Sequence, residues 1–351
     1  MSEVRDERVL EAVAGRRTVI NDAIPEELPG RSPERLWEAA RHLFDAGGKR
    51  LRPGVILLVG EALMDVPAGV DPTGVDYRAF PTLGGGEVDL LRAGIAVETV
   101  HTFTLIHDDI IDDDPLRRGV DAVHEAYDEG TAIIAGDTLY AMAFELLADT
   151  GTAPENGIEA VRRLADACTR LCEGQSMDVG FETRTDVTPE EYLDMVDRKT
   201  AVLYGASASI PAVLLGADEH TVEELEAFGR EVGQAFQIQD DVLDLTVPSE
   251  KLGKQRGSDL IENKQTIITV HARDQGVDVD GLVDADDPAA VTEAEIDAAV
   301  AELEDAGSID YASEMARDLV ETGKDRLEVL PDNESRELLS GIADYLIERG
   351  Y

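Results

Sequence analysis

Two short stretches of this 351-residue chain place carboxylates where they could share a cation. Leu105-Ile106-His107-Asp108-Asp109-Ile110-Ile111-Asp112 and Phe236-Gln237-Ile238-Gln239-Asp240-Asp241-Val242-Leu243-Asp244 each carry Asp-Asp-x-x-Asp at the C-terminal part of an apolar segment. On a helix Asp108 and Asp112 stand at i and i+4, so their carboxylates project from one face about 6 Å apart. Asp240 and Asp244 repeat that geometry. Like charges so placed disfavour an isolated helix by ~0.2–0.5 kcal/mol per pair, and by more if partly buried, so a compensating cation is expected. Magnesium suits the pattern, because it takes oxygen ligands, keeps several waters and lets substrate phosphates complete its shell. A single such motif in an Asp-rich chain reads equally as a solvated acidic face. Two copies, each flanked by apolar core positions, do not.

The basic residues supply the counterpart. Gly47-Gly48-Lys49-Arg50-Leu51-Arg52-Pro53 opens an apolar helix, where backbone N–H groups and the positive end of the helix dipole favour anions. Its two glycines let the backbone approach a ligand closely. Arg117-Arg118-Gly119 follows the first acidic motif, and Lys254 and Lys264 follow the second. The chain has six lysines, at 49, 199, 251, 254, 264 and 324, against 25 arginines, and five of the six lie inside or beside motifs. Metal ions on one side with Lys and Arg on the other is what a diphosphate requires. His101 shares the stripe 101, 105, 108, 112, which points it toward the same cleft, whereas His107 reads as a packing residue.

The elements that must hold these groups are helices. Apolar residues recur at three- and four-residue spacing over 34–45, 51–64, 88–113, 131–149, 158–180, 189–215, 221–245, 261–274, 293–305, 310–328 and 334–348. Ser32-Pro33-Glu34-Arg35 and Thr188-Pro189-Glu190-Glu191 carry capping signals. No stretch alternates with period two for long. Residues 65–87 and 276–292 are rich in Gly, Pro and Asp and read as surface loops. Cys168 and Cys172 fit neither a redox pair nor a zinc site and are expected in the core. These features predict an all-α fold, a single large helical bundle over residues 1–351.

Charge excludes several functions. With 75 Asp and Glu against 31 Lys and Arg, the formal net charge is -44, so nucleic acid and anionic membranes are not expected partners. A content of 43% hydrophobic residues with sustained helical periodicity argues against disorder and places the acid on the surface. Such a surface repels itself in dilute buffer, but the Debye length falls to about 3 Å at ~1 M salt, which points to a halophilic cytoplasm. The N-terminal stretch is charged from its third residue, and the longest apolar runs are too short to span a bilayer, so a soluble cytoplasmic protein without an integral membrane segment is expected.

GGKRLRP, LIHDDIIDDDPLRRG, RKTAVLYG (198–205), FQIQDDVLDL and LGKQRGSDLIENK resemble, in order and spacing, the trans-isoprenyl diphosphate synthases from about residue 30 to about residue 270. The resemblance implies the isoprenoid synthase type I fold, with the helical bundle around a central cavity, and a homodimer. It implies that Asp108, Asp109 and Asp112, with Asp240 and Asp244 of the second motif, bind Mg2+, about two to three ions held with the allylic diphosphate. Arg117 would contact that diphosphate, and Lys199, Thr200, Gln237, Lys254 and Lys264 match the remaining allylic-side positions. Lys49, Arg52, His101 and Arg118 match the pocket for isopentenyl diphosphate. Asp108, Asp112, Asp240, Lys199, Thr200 and Gln237 would then carry catalysis.

In the same family, bulky residues one to two turns before the first acidic motif stop the growing tail. Here they are Phe103 and Thr104. An aromatic at Phe103, with no insertion inside DDIID, resembles the archaeal type of geranylgeranyl diphosphate synthase, which implies a C20 product with C15 as an intermediate or co-product. Helix geometry alone leaves the floor open, since at 100° per residue Phe103 is well off the Asp108 stripe and Thr104 is nearer to it. The alternatives are a farnesyl diphosphate or mixed C15/C20 synthase, a non-catalytic subunit of a heteromeric synthase, and a class I terpene cyclase. A cyclase has no use for the second diphosphate site that GGKRLRP and Arg-Arg-Gly suggest.

Overall fold

Most of the predicted helices form where the apolar spacing puts them, and the departures are informative. The computed structural model describes residues 2–249, 255–283 and 291–348. In chain order the helices are α1 (Ser2–Glu27), α2 (Glu34–Asp45), α3 (Leu51–Leu63), α4 (Leu90–Ile111), α5 (Val123–Ala126), α6 (Glu129–Ala148), α7 (Pro154–Phe181), α8 (Pro189–Val196), α9 (Val202–Leu215), α10 (Glu219–Thr246), α11 (Ser258–Ile261), α12 (Ile267–Asp274), α13 (Glu293–Asp305), α14 (Ser308–Arg326) and α15 (Glu334–Glu348). Two antiparallel two-stranded ribbons join them: β1 (Phe80–Pro81) with β2 (Glu87–Val88), and β3 (Leu116–Arg117) with β4 (Val120–Asp121). The fold is all-α.

Helix α1 escapes the apolar-spacing rule because its buried face, which includes Val9, Ile20 and Ile24, also carries Arg16. That guanidinium is buried against Glu61 of α3, its Nε 2.8 Å from the carboxylate, and Tyr77 and Ser335 donate to the same group. An ion pair so desolvated is tolerated only because hydrogen bonds satisfy it. The segment predicted as one helix over 189–215 is interrupted by a π-helical turn at Asp197–Ala201, and that over 261–274 divides between α11 and α12. The second break follows from the left-handed Asn263 and from the Thr266 capping box that restarts the chain at α12. Thr188 forms its predicted capping box with Glu191, but Ser32 does not cap α2, which starts one residue later with Pro33 as its N-cap.

Two readings of the sequence need correction. Residues 65–87 are not wholly a surface loop, because Tyr77 and Phe80 are buried and stack at 5.9 Å. Cys168 is buried as expected, but Cys172 is exposed: it lies beside the buried stripe Ala160, Leu164, Ala167, Leu171 of α7 rather than on it.

Contacts gather the chain into two compact units. The first comprises residues 1–168, 206–226 and 327–341, and its core is built where α4 packs along α6 and α3. The second comprises residues 169–205, 227–326 and 342–351, and in it α12 packs against α14 and α8. Within the second unit α10 lies flush against 201–205. A Cβ on Gly229 would stand 2.3 Å from the Tyr204 carbonyl oxygen, and one on Gly233 2.7 Å from Ala201 Cα.

The acid is at the surface. Among the described residues the buried carboxylates are Glu61, Asp89, Glu98, Asp109, Asp197, Asp241 and Asp244, few beside a total of 75 acidic residues. Exposed like charges repel over about 10 Å at ~0.1 M salt and over about 3 Å at ~1 M. The melting temperature should therefore climb steeply as KCl is raised from ~0.1 M to ~1 M and above. A melting curve indifferent to KCl would contradict this account of the net charge.

Candidate active site

The first acidic motif sits at the end of α4, whose N-terminus is fixed by Asp89 accepting from the Arg92 N–H at 2.8 Å. The helix ends at Ile111, with Asp112 as its C-cap donating its own N–H to the Asp108 carbonyl at 2.8 Å. Asp112 is exposed and Asp108 half-buried, so this pair is presented outward. Asp109 is turned inward and fully buried. Its Oδ1 accepts from Arg117 Nε at 2.5 Å, while Arg117 Nη2 donates to Asp114 at 2.8 Å. Burial raises the Asp109 carboxyl above its ordinary range, and the Arg117 hydrogen bond opposes that rise. Asp109 therefore anchors Arg117.

The β3–β4 hairpin separates two adjacent arginines. Its two-residue turn has positive φ at Arg118 (55°) and Gly119 (79°), the combination that matches the twist of paired strands. Arg117 reaches Asp109 and Asp114, whereas Arg118 Nη1 donates to the carbonyls of Gly47 (2.7 Å) and Leu43 (3.1 Å). The loop it meets is left-handed at Gly47 (φ 92°) and Arg50 (φ 52°), with Gly48 at φ 150°. A Cβ on Gly48 would stand 3.2 Å from both guanidiniums, Arg118 and Arg50, so a side chain there would crowd both in addition to straining the backbone at φ 150°.

These contacts assemble a cationic cluster inside the first unit. Burial first, and then the positive charges of Arg52, Arg118, Arg50 and Arg117, push the His101 imidazole well below its ordinary range, so it is neutral at pH 7. Arg118 is itself lowered by burial and by the neighbouring Arg50, Arg117 and Arg52, with Glu98 opposing. The predicted residues Arg52, His101, Arg117 and Arg118 are thus brought together, and Lys49 lies exposed on the same loop. Guanidiniums held this close suit a multiply charged anion.

The second unit holds another polar site. A cavity of about 120 Å³ is lined by Asp178, Tyr192, Lys199, Thr200, Gln237, Asp241, Asp259, Lys264, Gln265 and Thr266, together with Met195 and Val196. Lys199 and Thr200 come from the π-helical turn, a departure from α-geometry often found at functional sites. Asp197 fixes that turn by accepting from Arg230 Nε at 2.8 Å and Gln234 Nε2 at 3.1 Å, both on α10. Further along α10, Gln237 Oε1 accepts from Thr200 Oγ1 at 3.1 Å and its Nε2 donates to Asp241 at 3.1 Å. Asp241 also accepts from the buried Tyr192 hydroxyl at 2.5 Å, and Lys199 Nζ donates to Asp178 at 2.5 Å. Burial, then the charge of Asp259, pushes the Asp241 carboxyl well above its ordinary range.

Within the second acidic motif Asp240 is half-buried and Asp244 fully buried. Asp244 accepts from Ser258 Oγ at 2.8 Å and the Asp259 N–H at 3.1 Å, so it secures the loop before α11 instead of standing open beside Asp240. Among the described residues no three Asp, Glu, His or Cys side chains cluster closely enough to hold a metal alone. Magnesium needs no such cage, since one or two carboxylates with water and substrate phosphates satisfy it. The pair Asp108 and Asp112 fits that requirement.

The tail-length candidates fall in an aromatic cluster. Phe103 is buried and packs edge-on against Tyr140 of α6 (5.1 Å) and against His107 (5.3 Å), and Tyr140 meets Phe144 at 5.2 Å. His107 Nε2 lies 3.2 Å from the Ile133 carbonyl oxygen, consistent with a packing role. Thr104 is half-buried, and its hydroxyl donates to the His101 carbonyl at 2.8 Å.

Lys254 lies outside the described residues. Sequence reasoning missed Asp178 and Tyr192, which carry no local signal in an acidic chain, and assigned no role to Glu98 or to the motif residues Asp241 and Asp259. The spacing of Glu98 three residues before His101 could have found the former.

Comparison with known proteins agrees with this geometry. The model of the polyprenyl synthetase family matches residues 33–302. A protein named geranylfarnesyl diphosphate synthase from Natronomonas pharaonis is 61% identical over 345 residues, covering 98% of this chain and 99% of its own. A geranylgeranyl diphosphate synthase from Methanosarcina mazei is 45% identical over 343 residues, covering 98% of each. The solved structure of geranylgeranyl pyrophosphate synthetase from Geoglobus acetivorans superposes with a TM-score of 0.84 at 44% identity, covering 96% of this chain and 99% of that one. With the acidic motifs, the Arg-Arg-Gly hairpin and the all-α fold in agreement, the chain belongs to the polyprenyl synthetase family.

Proposed function

We propose that the protein is a magnesium-dependent trans-prenyltransferase that condenses isopentenyl diphosphate with allylic diphosphates to make geranylgeranyl diphosphate. The observation that carries the reading is the presence of two cationic sets, Arg52 and Arg118 beside His101 in one unit and Lys199 and Lys264 in the other. Two diphosphates need two such sets, and a cyclase would need one. The family match runs through both units, which supports one catalytic domain.

In this reading Asp108, Asp112 and Asp240 hold magnesium, which when bound offsets the charge growing on the departing pyrophosphate. Arg117, Lys199 and Lys264 bind the same allylic diphosphate and stabilise that charge from the protein side. Lys254, matched only by its place in the sequence, would join them. The hydroxyl of Thr200 and the amide of Gln237 present dipoles where the allylic C1–O bond ionises. Lys49, Arg52, His101 and Arg118 hold isopentenyl diphosphate, its alkene attacks the allylic cation, and loss of a proton leaves a chain five carbons longer. Released pyrophosphate is the candidate base. Apolar helices exclude the water that would quench the cation.

The face of α6 that leaves Ile133, Ile134 and Tyr140 exposed supports assembly as a homodimer, since an exposed apolar stripe on one helix is best covered by a second copy. The acidic surface suits a salt-rich cytoplasm. A C25 product is the second reading, favoured by the relative named geranylfarnesyl diphosphate synthase.

Incubation of the protein with Mg2+, labelled isopentenyl diphosphate and C5, C10 or C15 primers, followed by dephosphorylation and sizing, tests the assignment. C20 alcohol should dominate. A C25 majority would favour the second reading, and no elongation from any primer would overturn the activity.

A further inference from the structure

Glu98 is a buried carboxylate in the middle of α4, 2% exposed, with no part in the chemistry described above. Its Oε1 is the point at which two arginines from different segments meet. Arg50 Nη1 donates to it at 2.6 Å, and Arg118 Nη2 lies 3.8 Å away. Arg50 is itself buried and is tied at its other nitrogens to Asn21 Oδ1 (3.0 Å) and to the Phe44 carbonyl (2.9 Å). Arg118 is tied to the carbonyls of Leu43 and Gly47. The backbone of Gly47–Arg50 is therefore held from both sides in a conformation that non-glycine residues rarely adopt, and Glu98 is the charge common to both holds.

The electrostatics make that shared charge necessary. Arg50, Arg52, Arg117 and Arg118 all act on one another or on His101. Arg117 has Asp109 and Asp114 as its partners. For Arg50 and Arg118 the carboxylate within ion-pair distance, among the described residues, is Glu98. Without it, two desolvated guanidiniums would face each other across Gly48, and like charges so close separate when the backbone between them can move.

We infer that Glu98 is a positioning residue for isopentenyl diphosphate: through Arg50 and Arg118 it fixes the loop that aims Lys49 and Arg52, without touching the substrate itself. The inference rests on the pocket assignment proposed above. It carries a specific consequence, because this loop is assigned to isopentenyl diphosphate and Lys199 and Lys264 to the allylic diphosphate. Loss of the Glu98 charge should weaken one substrate and spare the other.

Glu98→Gln keeps the side chain's shape and an acceptor oxygen while removing the charge. Initial rates should show the KM for isopentenyl diphosphate rising about tenfold or more, with kcat and the KM for the allylic primer changed less than about twofold. Glu98→Asp, which keeps the charge one methylene shorter, should recover part of the loss. An unchanged KM for isopentenyl diphosphate, or an equal rise in both KM values, would overturn the inference. Should Glu98→Gln fail to fold, Arg50→Gln must produce the same one-sided rise, and its absence there would be equally decisive. The unaltered enzyme assayed alongside separates this from the functional assignment: if it elongates primers while the variants behave like it, only the role of Glu98 falls.

Discussion

Asp108→Ala and Asp240→Ala should each lower kcat by about a thousandfold or more, which corresponds to roughly 4 kcal/mol of lost transition-state stabilisation. Neither change should unfold the protein. Asp108 is half-buried beside another acid four residues on, and removing one of two like charges relieves repulsion in the free enzyme. The effect would therefore be confined to the charged transition state, where the bound cation would be held less firmly. Steady-state rates with saturating substrates, beside melting curves with and without Mg2+, check both halves. Magnesium should raise the melting temperature of the unaltered protein more than that of either variant. Near-normal turnover in either would remove the metal-clamp reading.

The inward-facing aspartates provide the contrast. Asp109→Ala would leave Arg117 without its buried partner, and Asp244→Ala would release Ser258 and the Asp259 N–H. Both should show first as lost stability, because stranding the partner of a buried carboxylate costs about 3–5 kcal/mol where an ion pair is broken. The two aspartate classes are indistinguishable in sequence.

That difference marks where sequence reading stops in this molecule. Helix positions and the all-α class were legible because burial imposes a period of 3.6, and α13 and α15 end where the spacing says they do. Helix α1 was not legible, since Arg16 interrupts its buried face and only the distant Glu61 makes that burial tolerable. The π-helical turn at Asp197–Ala201 lies against Gly174 of α7, where a Cβ would stand 2.3 Å from the Lys199 nitrogen, and against Gly233 of α10, packing that no local pattern encodes. For the site, spacing revealed which residues could share a ligand. It could not tell that Asp109 and Asp244 point inward, that one buried carboxylate serves two arginines, or that Asp178 and Tyr192 line the same cavity as Lys199. The last two depend on contacts between segments far apart in the chain, and the first on turns that bring Arg117 back to Asp109 and Ser258 back to Asp244.

Phe103→Ala should shift the dominant product from C20 to C25 and longer. Phe103 stands five residues before Asp108, about 7.5 Å along the helix axis at 1.5 Å per residue. Its ring is buried and braced from α6 by Tyr140, which is in turn braced by Phe144. A wall made of one side chain could rotate away from an advancing tail; a wall made of interlocked rings resists, because displacing one requires moving the next. If the tail ends at this ring, truncation to alanine would open space in which each buried methylene gains about 0.8 kcal/mol, so the partition between release and a further condensation would move toward elongation. Tyr140→Ala leaves Phe103 in place with His107 but without its brace from α6 and should give a mixture, with C25 beside C20. Thr104→Ala should leave the profile unchanged, since its hydroxyl is occupied within α4. Sizing the dephosphorylated products separates the cases. If the unaltered protein already makes C25, the floor lies deeper than Phe103, and Phe103→Ala would then leave the product pattern as it was.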